Sequence, residues 1–471
     1  MTDEPDGRMA AILAVADALR GQRFVHEVLS EWRAKRHLAG REAALATELG
    51  LGTVRHLVTI EHILSTLAQV DRRRTAPRLR AILYTAAYQI VWLDRVPVFA
   101  AVDEAVALAR RLVGGRAPGM TNAVLRRVAG AVRQRRVPWQ RLDPTQVRVS
   151  WDRACPFGVA VLPEPKEGNE VAHFAAATGE RLQRYAELVR RYGPEKAESV
   201  AWASQATPTV VLQRNALRVP CDEFARVLHD AFGSCVELAG DAAFLPPTVP
   251  VVETAVFRDG LVFMQDSTAN AAARAVAARP GERILDLCAA PGGKSVALAI
   301  AMQDRGEVIA CDTAAERLAR VRENVERLRL TCVRTCLQNA QREQTPEGGP
   351  GAGASGSEKA FDAALVDVPC SNTGVIARRP EARLGLTASK LRSLVSVQRQ
   401  LLRQAARCVR PGGRLVYSTC SLEPTENEEI VAEFLAENPA WRLDRQETIL
   451  PAWGPRPSDW RDGGYFARLV R

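Results

Sequence analysis

The chain has 471 residues, 47% of them hydrophobic and 25% charged, which fits a globular protein able to bury real cores. At roughly 100–200 residues per domain, two to four domains are expected. Lys and Arg total 64 against 54 Asp and Glu, a formal net charge of +10, and nearly all of the basic residues are Arg. That balance favours a polyanionic partner, because a planar guanidinium binds two phosphate oxygens at once; a GC-rich gene also yields a chain rich in Ala and Arg. No run of about 18 apolar residues is present, which excludes a membrane-spanning helix. The opening MTDEPDGRMA lacks the basic start and apolar run of a signal peptide, so a cytoplasmic protein is expected. Ten cysteines without repeating CxxC spacing argue against a zinc site or a disulfide framework, and no metal is expected.

Residues 9–132 read as helix throughout. Apolar residues recur at three- and four-residue spacing in 10–19, 53–67 and 79–93. Arg72, Arg73 and Arg74 mark a turn, Pro97 opens a further helix, and Gly114, Gly115 and Pro118 break the pattern before another. An all-α bundle over 1–132 is predicted. Residues 133–176 lose periodicity, are punctuated by prolines and read as a linker. Residues 177–255 read as a small α+β module.

From 256 to 471 short apolar runs alternate with helical stretches: ERILDLC (282–288), EVIACD (307–312), TCVRTCL (331–337), DAALVDVP (362–369) and RLVYSTC (414–420). Strands alternating with helices predict a parallel, doubly wound α/β sheet. The stretch 341–359, rich in Gly, Ser, Pro and charge, is expected to be a flexible surface insertion.

Four motifs in this half carry chemistry. DLCAAPGGKS (286–295) runs from a strand into a helix, and Gly292 and Gly293 let the backbone approach a ligand at free N–H groups. It has neither GxGxxG nor GxxxxGK[ST] spacing. Asp312 ends the next strand about 20 residues on, where an acid can bind ribose hydroxyls or cap the following helix. Glycine turn plus acid suits a nucleoside cofactor without choosing which. VDVPCSNTG (366–374) ends a strand in Asp367 and sets Cys370 after a proline, where it is either open to the crevice or a buried structural thiol. LVYSTCSLEPTENEE delivers Cys420 from the next strand, with Glu426 and Asn427 beginning a helix. Neighbouring strands lie about 4.8 Å apart, so both cysteines can face one crevice.

These motifs, in this order, resemble the RNA 5-methylcytosine methyltransferases of the Sun/Fmu family. ELGLGTVRHL, LYTAAYQIVWLDRVPVFAAVDEAV and GMTNAVLRR resemble the NusB-like RNA-binding domain that precedes the catalytic part in one branch of it. FMQDSTANAAA (263–273) resembles the entry to the catalytic domain and DGGYFARLVR (462–471) its closing strand. The resemblance implies a NusB-like bundle and a Rossmann-like methyltransferase domain that uses S-adenosylmethionine. It implies that Cys288, Ala289, Ala290, Pro291, Gly292, Gly293 and Lys294 hold the methionine part of that cofactor and that Asp312 holds its ribose. Asp367 then lines the site near methyl donor and cytosine. Asn339 stands where the family usually has an Asp near the adenine.

The resemblance also implies 16S rRNA as partner, with no DNA or membrane, and a monomer is expected. It makes Cys420 the nucleophile and Cys370 the aid to product release. DNA cytosine methyltransferases instead attack with the cysteine after proline, the context of Cys370, so the residues alone leave the choice open. A thiolate adding to carbon 6 of cytosine makes carbon 5 nucleophilic enough to take a methyl group. The base must first be unstacked, and Arg378 and Arg379 are candidates for its flanking phosphates or for a solvated basic turn. tRNA or large-subunit rRNA is the alternative substrate, and a non-catalytic RNA-binding scaffold is the alternative of another class.

Overall fold

The computed structural model describes residues 6–168, 170–338 and 360–471. The chain forms two compact units. One comprises Met1–Ala206 with Ile376–Gly385, the other Thr207–Val375 with Leu386–Arg471. This division does not follow the boundaries read from composition. No helix among the described residues is long and apolar enough to cross a membrane.

The first unit opens with seven helices between Gly7 and Ala131. Asp6 caps the first by accepting from the N–H groups of Arg8 and Met9. The helix Pro77–Trp92 is the centre of the bundle, with Leu83, Tyr84, Ala87 and Ile90 almost wholly buried. Gly52 lets this helix come close: a Cβ there would lie 2.2 Å from Cζ of Tyr88.

The stretch expected to be a linker is folded. Val137–Pro138, Gln146–Arg148 and Arg153–Pro156 form a three-stranded antiparallel sheet. Arg148 lies 3.9 Å from the ring centroid of Trp139, 4.7 Å from Trp202 and 4.9 Å from Trp151. Guanidinium–aromatic packing of this kind leaves no periodic trace in a sequence. Through Trp202 it also ties the helix Pro194–Gln205 into this unit, which includes the helix Leu182–Tyr192 as well, although both read from the sequence as part of the module that follows.

Within the same unit, Arg383 is buried. It donates to the carbonyl oxygens of Arg55 at 2.6 Å, Gly179 at 2.8 Å and Ser204 at 3.3 Å, and lies 3.4 Å from the buried carboxylate of Glu180. Glu381 accepts from the N–H of Val25 at 2.7 Å. These bonds hold Ile376–Gly385, which carries the exposed Arg378 and Arg379, in the helical unit.

The second unit begins with a four-stranded antiparallel sheet built from Val210–Arg214, Glu237–Ala239, Ala242–Leu245 and Val262–Met264. A seven-stranded sheet follows. Its strands are β1 (Arg283–Asp286), β2 (Glu307–Asp312), β3 (Val333–Leu337), β4 (Phe361–Asp367), β5 (Val409–Thr419), β6 (Arg442–Ile449) and β7 (Gly464–Val470), in the order β3-β2-β1-β4-β5-β7-β6. The first five are parallel, as expected. β7 runs antiparallel between β5 and β6, because no crossover helix joins β6 to β7.

Alternate residues of each parallel strand serve opposite layers. Ile284, Val308, Leu365 and Val416 pack with the helices Gly293–Ala301 and Ala315–Arg327. Leu285, Ile309, Val366 and Tyr417 pack with Ala388–Cys408 and Glu428–Glu437. Burial on both faces is why these strands read as continuous apolar runs. The stretch 341–359 lies outside the described residues.

Arg383→Ala removes one of the two cations beside the buried Glu180, Arg184 at 3.1 Å being the other, and leaves three interior carbonyl oxygens without their donor. It is expected to cost about 3–5 kcal/mol in chemical unfolding of the full chain; a loss under about 1 kcal/mol would contradict the anchoring.

Candidate active site

The carboxyl ends of β1, β2, β4 and β5 converge on one edge of the sheet. At the end of β1 the chain turns through Leu287–Pro291 into the helix Gly293–Ala301. The Ala289 N–H donates to the Cys311 carbonyl at 2.8 Å, and the Gly292 N–H donates to the Ala289 carbonyl at 2.7 Å. Gly292 has φ +103°, and a Cβ would lie 3.2 Å from the backbone of Val321, so only glycine fits.

Asp312, at the end of β2, ties this turn down. Its Oδ2 accepts from the Ala290 N–H at 3.3 Å and lies 3.3 Å from Arg317, which also donates to the Ala290 carbonyl. Its Oδ1 accepts from the Ala314 N–H at 3.2 Å, in the manner of a helix cap.

Asp286 closes β1 with its side chain wholly buried. Ser295 donates to Oδ2 at 2.6 Å, while Oδ1 has no hydrogen-bond partner among the described residues. Burial raises this carboxyl to about 7, and the Ser295 bond and the Lys294 charge only partly offset it. The thiol of Cys288 is likewise pushed up by burial, then by Asp367.

Asp367 ends β4 beside Ser418 of β5. Its Oδ1 accepts from Ser418 Oγ at 2.6 Å and its Oδ2 from Lys294 Nζ at 2.6 Å. Burial alone would lower Lys294; the charge and hydrogen bond of Asp367 outweigh it and raise the ammonium above its ordinary value. Lys294 thus leaves the glycine turn and spans to β4.

Cys370 and Cys420 meet, with their sulfurs 3.1 Å apart. Cys370 is buried, not open to the crevice, with Cys420 hydrogen-bonded to its sulfur; Cys420 is half-buried. The backbone matches this pairing: the Gly374 N–H donates to the Cys420 carbonyl at 2.9 Å, and the Gly463 N–H donates to the Gly374 carbonyl at 2.8 Å. A Cβ on Gly374 would lie 2.6 Å from the Gly463 oxygen.

Asn372, at φ +61°, links the two cysteines. Its Nδ2 donates to the Cys370 carbonyl at 3.0 Å and its Oδ1 accepts from the Cys420 thiol at 3.2 Å. The hydrogen bond with Cys420, then burial, drives the Cys370 thiol well above its usual range. Cys370 therefore keeps its proton and can donate it to Cys420 sulfur once that is ionised.

An open cavity of about 70 Å³ lies against Lys294, Asp367, Ser418, Cys420, Tyr465 and Phe466. The sequence-predicted residues Asp367 and Cys420 face it, while Cys370 stands behind Cys420. Asn339 lies outside the described residues. Glu426 and Asn427 do not begin a helix: Pro424–Glu426 is a 3-10 turn and the helix starts at Glu428. The roles of Asn372, Ser418 and Glu426 have no motif spacing of their own, since each depends on a partner distant in the chain, whereas Asp286 meets Ser295 at the other end of its own motif.

A family model described as 16S rRNA methyltransferase RsmB/F matches residues 273–452, and the NusB family model matches residues 7–130. The ribosomal RNA small subunit methyltransferase B of Pseudomonas syringae pv. tomato is 30% identical over 477 residues, covering 98% of this chain and 96% of that protein. The probable ribosomal RNA small subunit methyltransferase B of Bacillus subtilis is 28% identical over 442 residues, covering 93% and 90%. The crystal structure of PH0851 is similar in fold, with a TM-score of 0.71 at 21% identity over 100% of both chains.

Gly292→Ala forces a positive φ on a residue with a Cβ, at a cost of order 1–3 kcal/mol. Calorimetry is expected to show about tenfold or weaker binding of S-adenosylmethionine. Unchanged affinity would mean that this turn does not hold the nucleoside ligand.

Proposed function

This chain belongs to the RsmB/F family of S-adenosylmethionine-dependent rRNA methyltransferases, and we propose that it methylates carbon 5 of a cytosine in 16S rRNA through a covalent bond from Cys420. The observation that carries the reading is the pair of sulfurs 3.1 Å apart, one reaching the cavity that Asp367 and Lys294 line. The names of relatives support this substrate: those from Pseudomonas syringae and Bacillus subtilis are named as small-subunit rRNA methyltransferases, the second as a probable one.

The residues fit the cofactor. Gly292 and Gly293 open the helix Gly293–Ala301 with a close-approach backbone. The buried Oδ1 of Asp286, without a hydrogen-bond partner among the described residues, is an acceptor that a cationic amino group would satisfy. Cys288–Lys294, Asp312 and Asp367 are the residues that would hold it. S-adenosylmethionine supplies an electrophilic methyl group.

Cys420 reacts as thiolate. Its sulfur adds to carbon 6, and electron density moves toward N3 and carbon 5. Asp367, bonded to both Lys294 and Ser418, hydrogen-bonds the base edge and stabilises protonation at N3. Carbon 5 then takes the methyl group. Loss of the carbon 5 proton to a water lets the electron pair reform the double bond as the carbon–sulfur bond breaks, and N3 gives up its proton as the ring becomes aromatic again. Cys370 suits the second thiol because its raised pKa keeps it protonated while Cys420 attacks, and its S–H stabilises the departing sulfur.

Trapping on RNA carrying 5-fluorocytosine tests the roles. Cys420→Ser is expected to abolish the covalent adduct and lower methyl transfer by at least about a thousandfold. Cys370→Ser is expected to retain the adduct on natural RNA and release product slowly. An adduct that survives Cys420→Ser and vanishes in Cys370→Ser would reverse the assignment.

A further inference from the structure

Beneath the two thiols lies a carboxylate that takes no part in the steps above. Glu426 is fully buried. Its Oε1 accepts from the Ser371 N–H at 2.9 Å and from Gln398 Nε2 at 2.9 Å. Its Oε2 accepts from the hydroxyls of Ser371 and Ser421. Ser371 follows Cys370 directly, and Ser421 follows Cys420 directly.

We propose that Glu426 is a positioning residue that sets the separation of the two thiols by holding the serine next to each. The inference rests on the reading of Cys420 and Cys370 as the reacting pair.

Four donors converge on this side chain from three parts of the fold: the loop after β4, the turn after β5 and the helix Ala388–Cys408. A carboxylate accepts at both oxygens and donates nothing, so it alone among side chains of this shape satisfies all four. A Gln amide would turn an NH₂ group toward at least one donor. Burying a carboxylate is costly unless every lone pair is used, and here each oxygen has two donors.

The surrounding bonds make the clamp stiff. Gln398 Nε2 also donates to the Pro369 carbonyl at 2.9 Å, one residue before Cys370. Tyr417 Oη donates to the Glu426 carbonyl at 2.6 Å. The neighbouring Asn427 holds the turn around Cys420 from both sides, accepting from Thr419 Oγ1 at 2.6 Å and donating to the Ser421 carbonyl at 3.0 Å. A 3-10 turn at Pro424–Glu426, in place of the first turn of a helix, is what aims Glu426 inward. Its charge also adds to the effects that keep Cys370 protonated, after the Cys420 hydrogen bond and burial.

The test uses the full chain, S-adenosylmethionine and a 16S rRNA transcript. Glu426→Gln is expected to lower kcat about a hundredfold and to leave KM for both substrates within about twofold. Ser371→Ala with Ser421→Ala is expected to lower kcat at least about tenfold, and adding Glu426→Gln to that pair is expected to slow it no further than Glu426→Gln alone. A kcat within about twofold of the parent, a loss confined to KM, or additive losses would overturn the proposal. If Glu426→Gln does not fold, the serine pair is judged by its kcat and KM alone.

Alkylation by iodoacetamide separates this inference from the reading it rests on. With peptide mapping and no RNA present, the parent is expected to alkylate Cys420 faster than Cys370. Glu426→Gln, or the serine pair in its place, is expected to narrow that ratio at least about fivefold. An unchanged ratio overturns the clamp whether or not the parent methylates cytosine. A parent that transfers no methyl group to carbon 5 overturns only the assigned reaction.

Discussion

Two neighbouring parallel strands, in register from Ala363 opposite Arg414 to Asp367 opposite Ser418, carry the site. Strands so paired run about 4.8 Å apart. The loops beyond them must close that gap further for one sulfur to lie 3.1 Å from the other. Everything else at the sheet edge serves that approach. Gly374 and Gly463 lack side chains where backbone meets backbone, Asn372 takes a left-handed conformation to bond both cysteines, and Glu426 gathers the following serines. The sheet can provide such an edge because both its faces are buried, which leaves its carboxyl ends as the place for function.

A thiol pair needs asymmetry to do two tasks. Cys370 is buried and bonded, so its proton is held; Cys420 reaches the cavity beside Asp367 and Lys294. Environment, rather than residue type, separates the attacking sulfur from its partner. The ion pair of Lys294 with Asp367 adds a second coupling, since Lys294 comes from the turn after β1 and Asp367 from β4. One side chain thus joins the glycine turn to the wall of the cavity.

Much of this was legible in the chain. The helices of the first 131 residues follow the three- and four-residue spacing of their apolar positions, and the five parallel strands stand as short apolar runs. Gly292, Asp312, Asp367, Cys370 and Cys420 all stand on one edge because each ends a strand or opens the segment after one. What periodicity cannot convey is long-range pairing. The sheet between Val137 and Pro156, the Arg148 packing among tryptophans and the return of Ile376–Gly385 to the helical unit depend on partners far along the chain. The burial of Cys370 follows from the Cys420 sulfur bonded to it, which no local pattern encodes. Glu426 reads as the start of a helix, yet its side chain turns inward to four donors.

The most direct test of the proposed chemistry follows the hydrogen that must leave carbon 5. Small-subunit rRNA lacking its own modification can be prepared with tritium at carbon 5 of its cytosines and incubated with the protein and S-adenosylmethionine carrying a ¹⁴C-labelled methyl group. Attack through carbon 6 and methylation at carbon 5 predict one tritium released to water for each methyl group incorporated. Methyl incorporation with the tritium retained would place the methyl on another atom and contradict the account.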